Sequence, residues 1–271
     1  MLFDSHTHLT SDGYPQEVRE KLISDIQASD VAYVMDVGCD LETSVMAVQN
    51  AKKYDWCYAA VGVHPHDARL MDETYLMRIR ELAGEEKVKA IGEIGLDFHY
   101  DYSPRDVQEY WFRRQIQLAN ELKMPIIIHS READQLTMDI LKEEDAFSER
   151  RKDWFERRPD GSADAKVLLH CYSGSAEMAT EYIKLGATIS IAGPVTYKNN
   201  RKTQKVVQTV PMEHLLAETD APYLTPEPFR GKTNKSPYVE HTVRRIALLK
   251  EMEYEDAAKA TYENARRFFG I

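Results

Sequence analysis

Apolar runs recur along the chain with amphipathic stretches between them, and eight of these runs predict β-strands. They are LFDSH (2–6), AYVMDVG (32–38), CYAAVGVH (57–64), VKAIGEIG (88–95), PIIIH (125–129), KVLLHC (166–171), TISIAG (188–193) and HLLAETD (214–220). Intervening stretches such as EVREKLISDIQ (17–27), RDVQEYWFRRQIQLANEL (105–122) and AEMATEYIKL (176–185) place their apolar residues at helical spacing. Apolar strands alternating with helices require a parallel sheet covered on its faces, and eight such units predict a closed (β/α)8 TIM barrel. Residues 143–164, EEDAFSERRKDWFERRPDGSAD, extend the connection before the sixth strand with mixed charge and a Pro-Asp-Gly turn signal. That segment is expected to be an exposed helical extension and loop. The tail YEDAAKATYENARRFFGI (254–271) predicts a C-terminal helix whose aromatic pair docks on the barrel. Without a repeat or linker, residues 1–271 are expected to form a single domain.

The active site of such a barrel is built at the C-terminal ends of its strands. Those ends carry His6 and His8 on the first strand, His64 on the third, Glu93 on the fourth, His129 on the fifth, His170 on the sixth and Asp220 on the eighth. Of nine histidines, only His66, His99, His214 and His241 lie elsewhere, and the first two follow strand ends closely. Residues i and i+2 of a strand share a face, so His6 and His8 can enter one coordination sphere. Four imidazoles and two carboxylates exceed what one catalytic zinc takes, about three protein ligands. Two divalent cations are the natural count, with Glu93 as the carboxylate able to bridge them. Nitrogen-rich ligation favours zinc, nickel, manganese or iron over calcium.

Composition narrows the class. Hydrophobic residues make up 43% and charged residues 30% of the chain, the balance of a soluble globular protein. No apolar run reaches the ~18–20 residues that span a bilayer, and MLFDSH has no signal-peptide character, so no membrane role and a cytoplasmic location are expected. Cys39, Cys57 and Cys171 form neither a disulfide framework nor a metal clip. A net charge of −10 argues against broad electrostatic wrapping of nucleic acid, although a local basic patch or bound cations can accept a phosphate.

The segments FDSHTHL (3–9), VGVHPH (61–66), IGEIGLDFHY (91–100), PIIIHSREA (125–133), LLHCYSGS (168–175) and ETDAPYLTPEPFRG (218–231) occur in an order that resembles the TatD-type metal-dependent hydrolases and deoxyribonucleases of the amidohydrolase superfamily. The resemblance covers nearly the whole chain. It implies His6, His8 and Asp220 on one metal, His129 and His170 on the other, Glu93 bridging, and hydrolysis of phosphodiester bonds at DNA ends. Many relatives in the superfamily bridge their metals with a modified lysine on the fourth strand. Glu93 stands there instead, which disfavours dihydroorotase-like chemistry. The long 143–164 segment is the chief departure and could alter access to the site.

Two cations, drawn from Zn²⁺, Mn²⁺, Mg²⁺ and Ni²⁺, can acidify water and neutralise a phosphoryl oxygen during in-line displacement. The catalytic residues expected are Asp220, Glu93 and His64. Asp220 serves as general base or as a plain ligand, and His64 holds the substrate phosphate or hydrogen-bonds a ligand. Arg131 meets the same phosphate or pairs with Glu132 or Asp134. Asp4, His66, Asp97 and His99 are expected to orient ligands, whereas Cys171 points away from the site. Lys198, Arg201, Lys202 and Lys205, with Arg230, Lys232 and Lys235, form a basic rim or a solvated surface. The leading expectation is a 3′-5′ exodeoxyribonuclease acting on single-stranded or end-containing DNA, with no stable protein partner evident. The alternatives are a metal-dependent ester or amide hydrolase, such as an aminoacyl-tRNA deacylase, and a nucleic-acid-binding barrel without turnover.

Overall fold

In the computed structural model, which describes residues 1–271 apart from the side chain of Gln16, strands and helices alternate as the apolar pattern predicts. The strands are β1 (Leu2–Thr7), β2 (Val31–Val37), β3 (Cys57–Val61), β4 (Val88–Asp97), β5 (Ile126–Arg131), β6 (Val167–Leu169), β7 (Thr188–Ile191) and β8 (Leu215–Ala217). All pair in parallel in sequence order. The seam between β8 and β1 is drawn together by the Thr7–Ala221 bridge, by Asp220 N donating to His6 O at 2.9 Å and by Ser5 Oγ donating to Ala217 O at 3.0 Å. The result is a (β/α)8 barrel.

Helices α1 (Gln16–Gln27), α2 (Leu41–Lys53), α3 (Glu73–Ala83), α4 (Arg105–Leu122), α5 (Asp134–Glu143), α6 (Glu149–Lys152), α7 (Ala176–Leu185), α8 (Arg201–Thr209), α9 (Val239–Lys250) and α10 (Tyr254–Phe269) complete the chain. No helix among the described residues is long and apolar enough to cross a membrane. Two cores result. The larger fills the space between strands and helices. The smaller joins Phe3, Met35, Ala60, Ala90, Ile127, Leu168 and Leu216 of the strands to Phe268 and Phe269 of α10. The Phe3 and Phe269 rings lie 5.8 Å apart, so the terminal aromatic pair closes the N-terminal end of the barrel.

The 143–164 segment departs from expectation in part. Much of it is exposed and it carries the short helix α6, as expected, but it is not solvated throughout, because Arg151 and Arg158 are among the buried residues. Arg151 donates to Ala165 O at 2.8 Å, Asn120 Oδ1 at 2.7 Å and Met124 O at 2.7 Å, while Arg158 donates to Ala163 O, Gly186 O, Ala187 O and Thr188 Oγ1. These carbonyls precede β5, β6 and β7, so the segment staples the end of the barrel opposite the strand-end histidines and does not gate them. Burial lowers the Arg151 guanidinium only to about 10, so it stays charged at neutral pH. Arg151→Met is therefore expected to cost about 3–5 kcal/mol, since three buried acceptors lose their donors at ~1–3 kcal/mol each. Urea unfolding measures the loss; a change below about 1 kcal/mol would mean that water replaces the guanidinium.

Candidate metal centre

Strand alternation sets most of the site. Ile127, Leu168 and Leu216 belong to the inner core, and two residues further along the same faces stand His129, His170 and Glu218. His6 and Glu93 lie three residues beyond the inner-core residues Phe3 and Ala90, on the wrong face under strict alternation. Register shifts between Asp4 and Thr7 in β1, and between Ile91 and Ile94 in β4, turn them inward. Gly95 lets β4 press against β5 beside His129. Its φ is +149°, and a Cβ there would stand 1.9 Å from the His129 carbonyl oxygen.

The six expected ligands converge around Glu93, whose two oxygens face different groups. Oε2 lies 3.2 Å from His6 Nε2 and 3.7 Å from His8 Nε2. The two imidazole nitrogens are 3.2 Å apart, and Asp220 Oδ1 is 3.2 Å from His8 Nε2 and 3.9 Å from His6 Nε2. Oε1 lies 2.7 Å from His129 Nδ1, 2.7 Å from His170 Nε2 and 3.6 Å from His64 Nε2. The His6 and His170 rings stack at 4.0 Å, joining the two groups.

The tautomers fit cation binding. His8 Nδ1 faces the carbonyl of Val37 at 2.9 Å, and a carbonyl can only accept, so Nδ1 carries the proton and Nε2 offers its lone pair inward. His129 Nε2 likewise donates to Asp97 Oδ2 at 3.1 Å, which turns a neutral Nδ1 lone pair toward a carboxylate oxygen. Lone pairs that face one another need a cation or extra protons between them. His6 Nδ1 and His170 Nδ1 are buried without a hydrogen-bond partner, and Glu218 Oε1 stands 3.5 Å from the latter. The donor set thus suits one or more divalent cations.

The protein's own charges show the same opposition. Burial pulls the His170 imidazole down, but Glu93 and Glu218 outweigh it and hold the ring well above its usual value. Burial likewise opposes His129, which Asp97 and Glu93 raise, and His8, which Cys39 and Asp220 raise. Glu93 is held well below the ordinary carboxylate range, burial being outweighed by His170, His64 and His129. Asp220 is also held low, against burial, by His8, His170 and His6. His6 is lowered by burial and by His170, and His64 well below its usual value by burial and by His129, so His64 is neutral at neutral pH.

Of the residues expected to orient ligands, Asp97 and His66 are in place: Asp97 Oδ2 receives both His129 Nε2 and, at 3.0 Å, His66 Nε2. Asp4 is not. Its oxygens accept from Thr219 N at 2.9 Å and Thr219 Oγ1 at 2.6 Å, so it braces the turn that carries Asp220. Burial pushes this carboxyl up to about 7 against the pull of Thr219 and Ser236. His99 bonds Glu132 at 2.6 Å on the surface, away from the ligands. Arg131 makes no ion pair among the described residues; its guanidinium lies 4.8 Å over the Tyr100 ring. In the basic rim, Lys235 pairs with Asp25 at 2.7 Å and Arg230 lies 4.3 Å over Tyr197.

The strand-end pattern overlooks Glu218, which is buried and accepts from Ser190 Oγ at 2.5 Å while facing His170. Its signal was the two-residue step back from Asp220. Cys39 was also missed; its Sγ lies 3.5 Å from His8 Nδ1, and burial raises its thiol.

A family model described as TatD related DNase matches residues 3–270. The chain is 45% identical, over 100% of both sequences, to the metal-dependent hydrolase YabD of Bacillus subtilis. It is 30% identical, over 99% of this chain and 97% of the other, to the 3'-5' ssDNA/RNA exonuclease TatD of Cronobacter sakazakii. Among solved structures it is similar to YjjV, a TatD homolog from Escherichia coli, with a TM-score of 0.85 at 25% identity, covering 100% of this chain and 98% of that one.

Proposed function

The chain belongs to the TatD-related DNase family of metal-dependent hydrolases, and on that premise we propose that it is a 3′-5′ exodeoxyribonuclease with a dinuclear metal centre, working in the cytoplasm as a single domain. One observation carries the reading: the two oxygens of Glu93 face separate sets of imidazole nitrogens, His6 and His8 on one side and His129 and His170 on the other. Asp220 completes the first set. A bridging carboxylate is what a pair of cations needs and what a single cation does not. The substrate is inferred from the relative named as an exonuclease on single-stranded DNA and RNA.

Divalent cations such as Zn²⁺, Mn²⁺, Mg²⁺ or Ni²⁺ would lower the pKa of water toward ~7 and offset charge building on a phosphoryl oxygen. The chain's residues supply the rest. Asp220, with 15% of its side chain exposed at the mouth of the barrel, accepts the proton of the attacking water. His64, neutral and beside Glu93 Oε1, donates to a phosphate oxygen without adding charge. Arg131, free of carboxylate partners among the described residues, pairs with the phosphate backbone. Asp97 keeps the His129 ring turned so that Nδ1 faces Glu93.

The test presents end-labelled single-stranded DNA and an aminoacyl-tRNA side by side to protein loaded with defined metals. Stepwise loss of nucleotides from the 3′ end is expected, abolished by chelator and restored by Mg²⁺, Mn²⁺ or Zn²⁺. Deacylation without nucleotide release would move the activity to ester hydrolysis. Full activity in a verified metal-free preparation would end the metal reading.

A further inference from the structure

The loop that follows β4 carries two exposed aromatic rings for which the metal chemistry has no use. Tyr100 is 46% exposed and Tyr102 56% exposed, yet their rings are ordered against each other, with centroids 5.3 Å apart and 9° between the planes. The loop beneath them is pinned at both ends. Asp97 Oδ1 accepts from the backbone N–H of His99 at 3.0 Å and of Tyr100 at 3.2 Å. Ser103 Oγ donates to His66 O at 2.7 Å, and Gln108 Nε2 donates to Ser103 O at 2.8 Å and Asp97 O at 3.1 Å. A stack held on so rigid a base is a fixed surface.

Its position ties it to the site. His66 meets both rings edge-on, at 5.6 Å from Tyr100 and 4.8 Å from Tyr102. The same His66 faces Asp97 Oδ2, the atom that holds His129. One imidazole and one carboxylate therefore separate the ring pair from the metal-competent cluster. Positive charge flanks it: the Arg131 guanidinium lies 4.8 Å over Tyr100, and Arg69 Nη1 donates to Tyr102 O at 3.3 Å. Four strands away round the barrel, Tyr223, 56% exposed, stands edge-on to His8 at 6.4 Å, so aromatic rings border the cluster on both sides.

Aromatic faces receive nucleobases with little regard to sequence, and cations beside them receive the connecting phosphates. Rings already fixed in a stack lose little freedom on binding. We infer that Tyr100 and Tyr102 form a stacking platform for an unpaired nucleobase of single-stranded DNA, with Arg131 meeting the backbone phosphate beside it. The inference rests on the nuclease reading for the nature of its ligand. A base inside a duplex has both faces covered by its neighbours, so the platform selects single strands and frayed ends over paired DNA.

The experiment measures binding by fluorescence anisotropy, using the full metal-loaded chain and a labelled single-stranded DNA whose phosphorothioate linkages resist hydrolysis. A second probe of the same length carries abasic sites near its 3′ end. The wild-type protein is expected to bind the base-bearing strand roughly tenfold or more tightly than the abasic one, from stacking on one or two rings. Replacing both tyrosines, Tyr100→Leu with Tyr102→Leu, keeps apolar cover on the loop and should erase that difference, whereas Tyr100→Phe with Tyr102→Phe should retain it. Equal binding of the two probes by the wild type, or an unchanged preference in a folded leucine variant, would overturn the platform. If the double leucine variant fails to fold, Tyr102→Leu alone, at the more exposed ring of the pair, should lower the preference, and an unchanged preference in it would overturn the platform. A protein that discriminates the probes but releases no nucleotide from ordinary DNA would refute the nuclease activity and leave the platform standing; the reverse pattern would remove the platform alone.

Discussion

Glu93→Ala is expected to strip the centre of metal on both sides at once and to lower hydrolysis by about 10³-fold or more, or ~4 kcal/mol at ~1.4 kcal/mol per decade. The size of the effect follows from position. Glu93 is the residue whose oxygens lie within 3.7 Å of His6, His8, His64, His129 and His170 alike. His129→Ala, by contrast, removes a nitrogen that faces only Oε1, and should empty one position while leaving the His6 and His8 side loaded. The two variants separate in elemental analysis: well under one metal per chain for the first, close to one for the second. Two metals per chain in Glu93→Ala would remove the bridge. Folding deserves a control, because the raised imidazoles of His129 and His170 owe part of their charge to Glu93. Glu93→Gln, which keeps the shape and one oxygen while losing the charge, should also lose metal at both positions.

Much of this site was legible in the sequence, and the reason is periodic. His129 and His170 follow the inner-core residues Ile127 and Leu168 by two positions, so the alternation of a parallel strand delivers them to the lumen without further information. His6 and Glu93 break that rule. They stand three residues past Phe3 and Ala90, and only the register shifts in β1 and β4 bring them inside. Periodicity alone does not reveal such a shift; the chemical type of the residues did. The 143–164 segment was misjudged because arginines among acidic residues read as a solvated surface. Arg151 and Arg158 are instead held largely by backbone carbonyls at the strand starts, with Asn120, Thr188 and Asp164 beside them, and carbonyl partners have no side-chain signature. Asp4 was misplaced for a related reason: its partner Thr219 lies across the barrel seam, 215 positions away in sequence. The stacked tyrosines after β4 sit in a loop whose spacing carries no period, so their parallel arrangement emerges only in three dimensions.

Asp220→Asn, with its metals verified in place, is expected to lose roughly 10²–10⁴-fold in single-turnover hydrolysis while binding DNA nearly as well as the wild type. Asparagine keeps the size and one coordinating oxygen but has no basic oxygen to take a proton, so ligand and base roles come apart. The structure bears on this test in three ways. Asp220 Oδ1 is the oxygen that approaches His8 and His6, at 3.2 and 3.9 Å, which leaves Oδ2 uncommitted to those rings. The carboxyl is held below its ordinary range, against burial, by His8, His170 and His6, so it is ionised throughout the neutral range, while the same pull limits its strength as a base. The turn that bears it is braced by Asp4 through Thr219, so an asparagine should stand where the aspartate stood. Two readouts keep the roles distinct. A general base should show as a loss in rate at unchanged DNA affinity. A ligand without proton function should show as metal loss, with activity recovering when the metal concentration is raised. Wild-type single-turnover rates in a fully metallated Asp220→Asn protein would exclude the base role. The proton would then have to leave through His64, a water or the substrate itself; His64 Nδ1 already accepts from the His66 N–H at 3.2 Å.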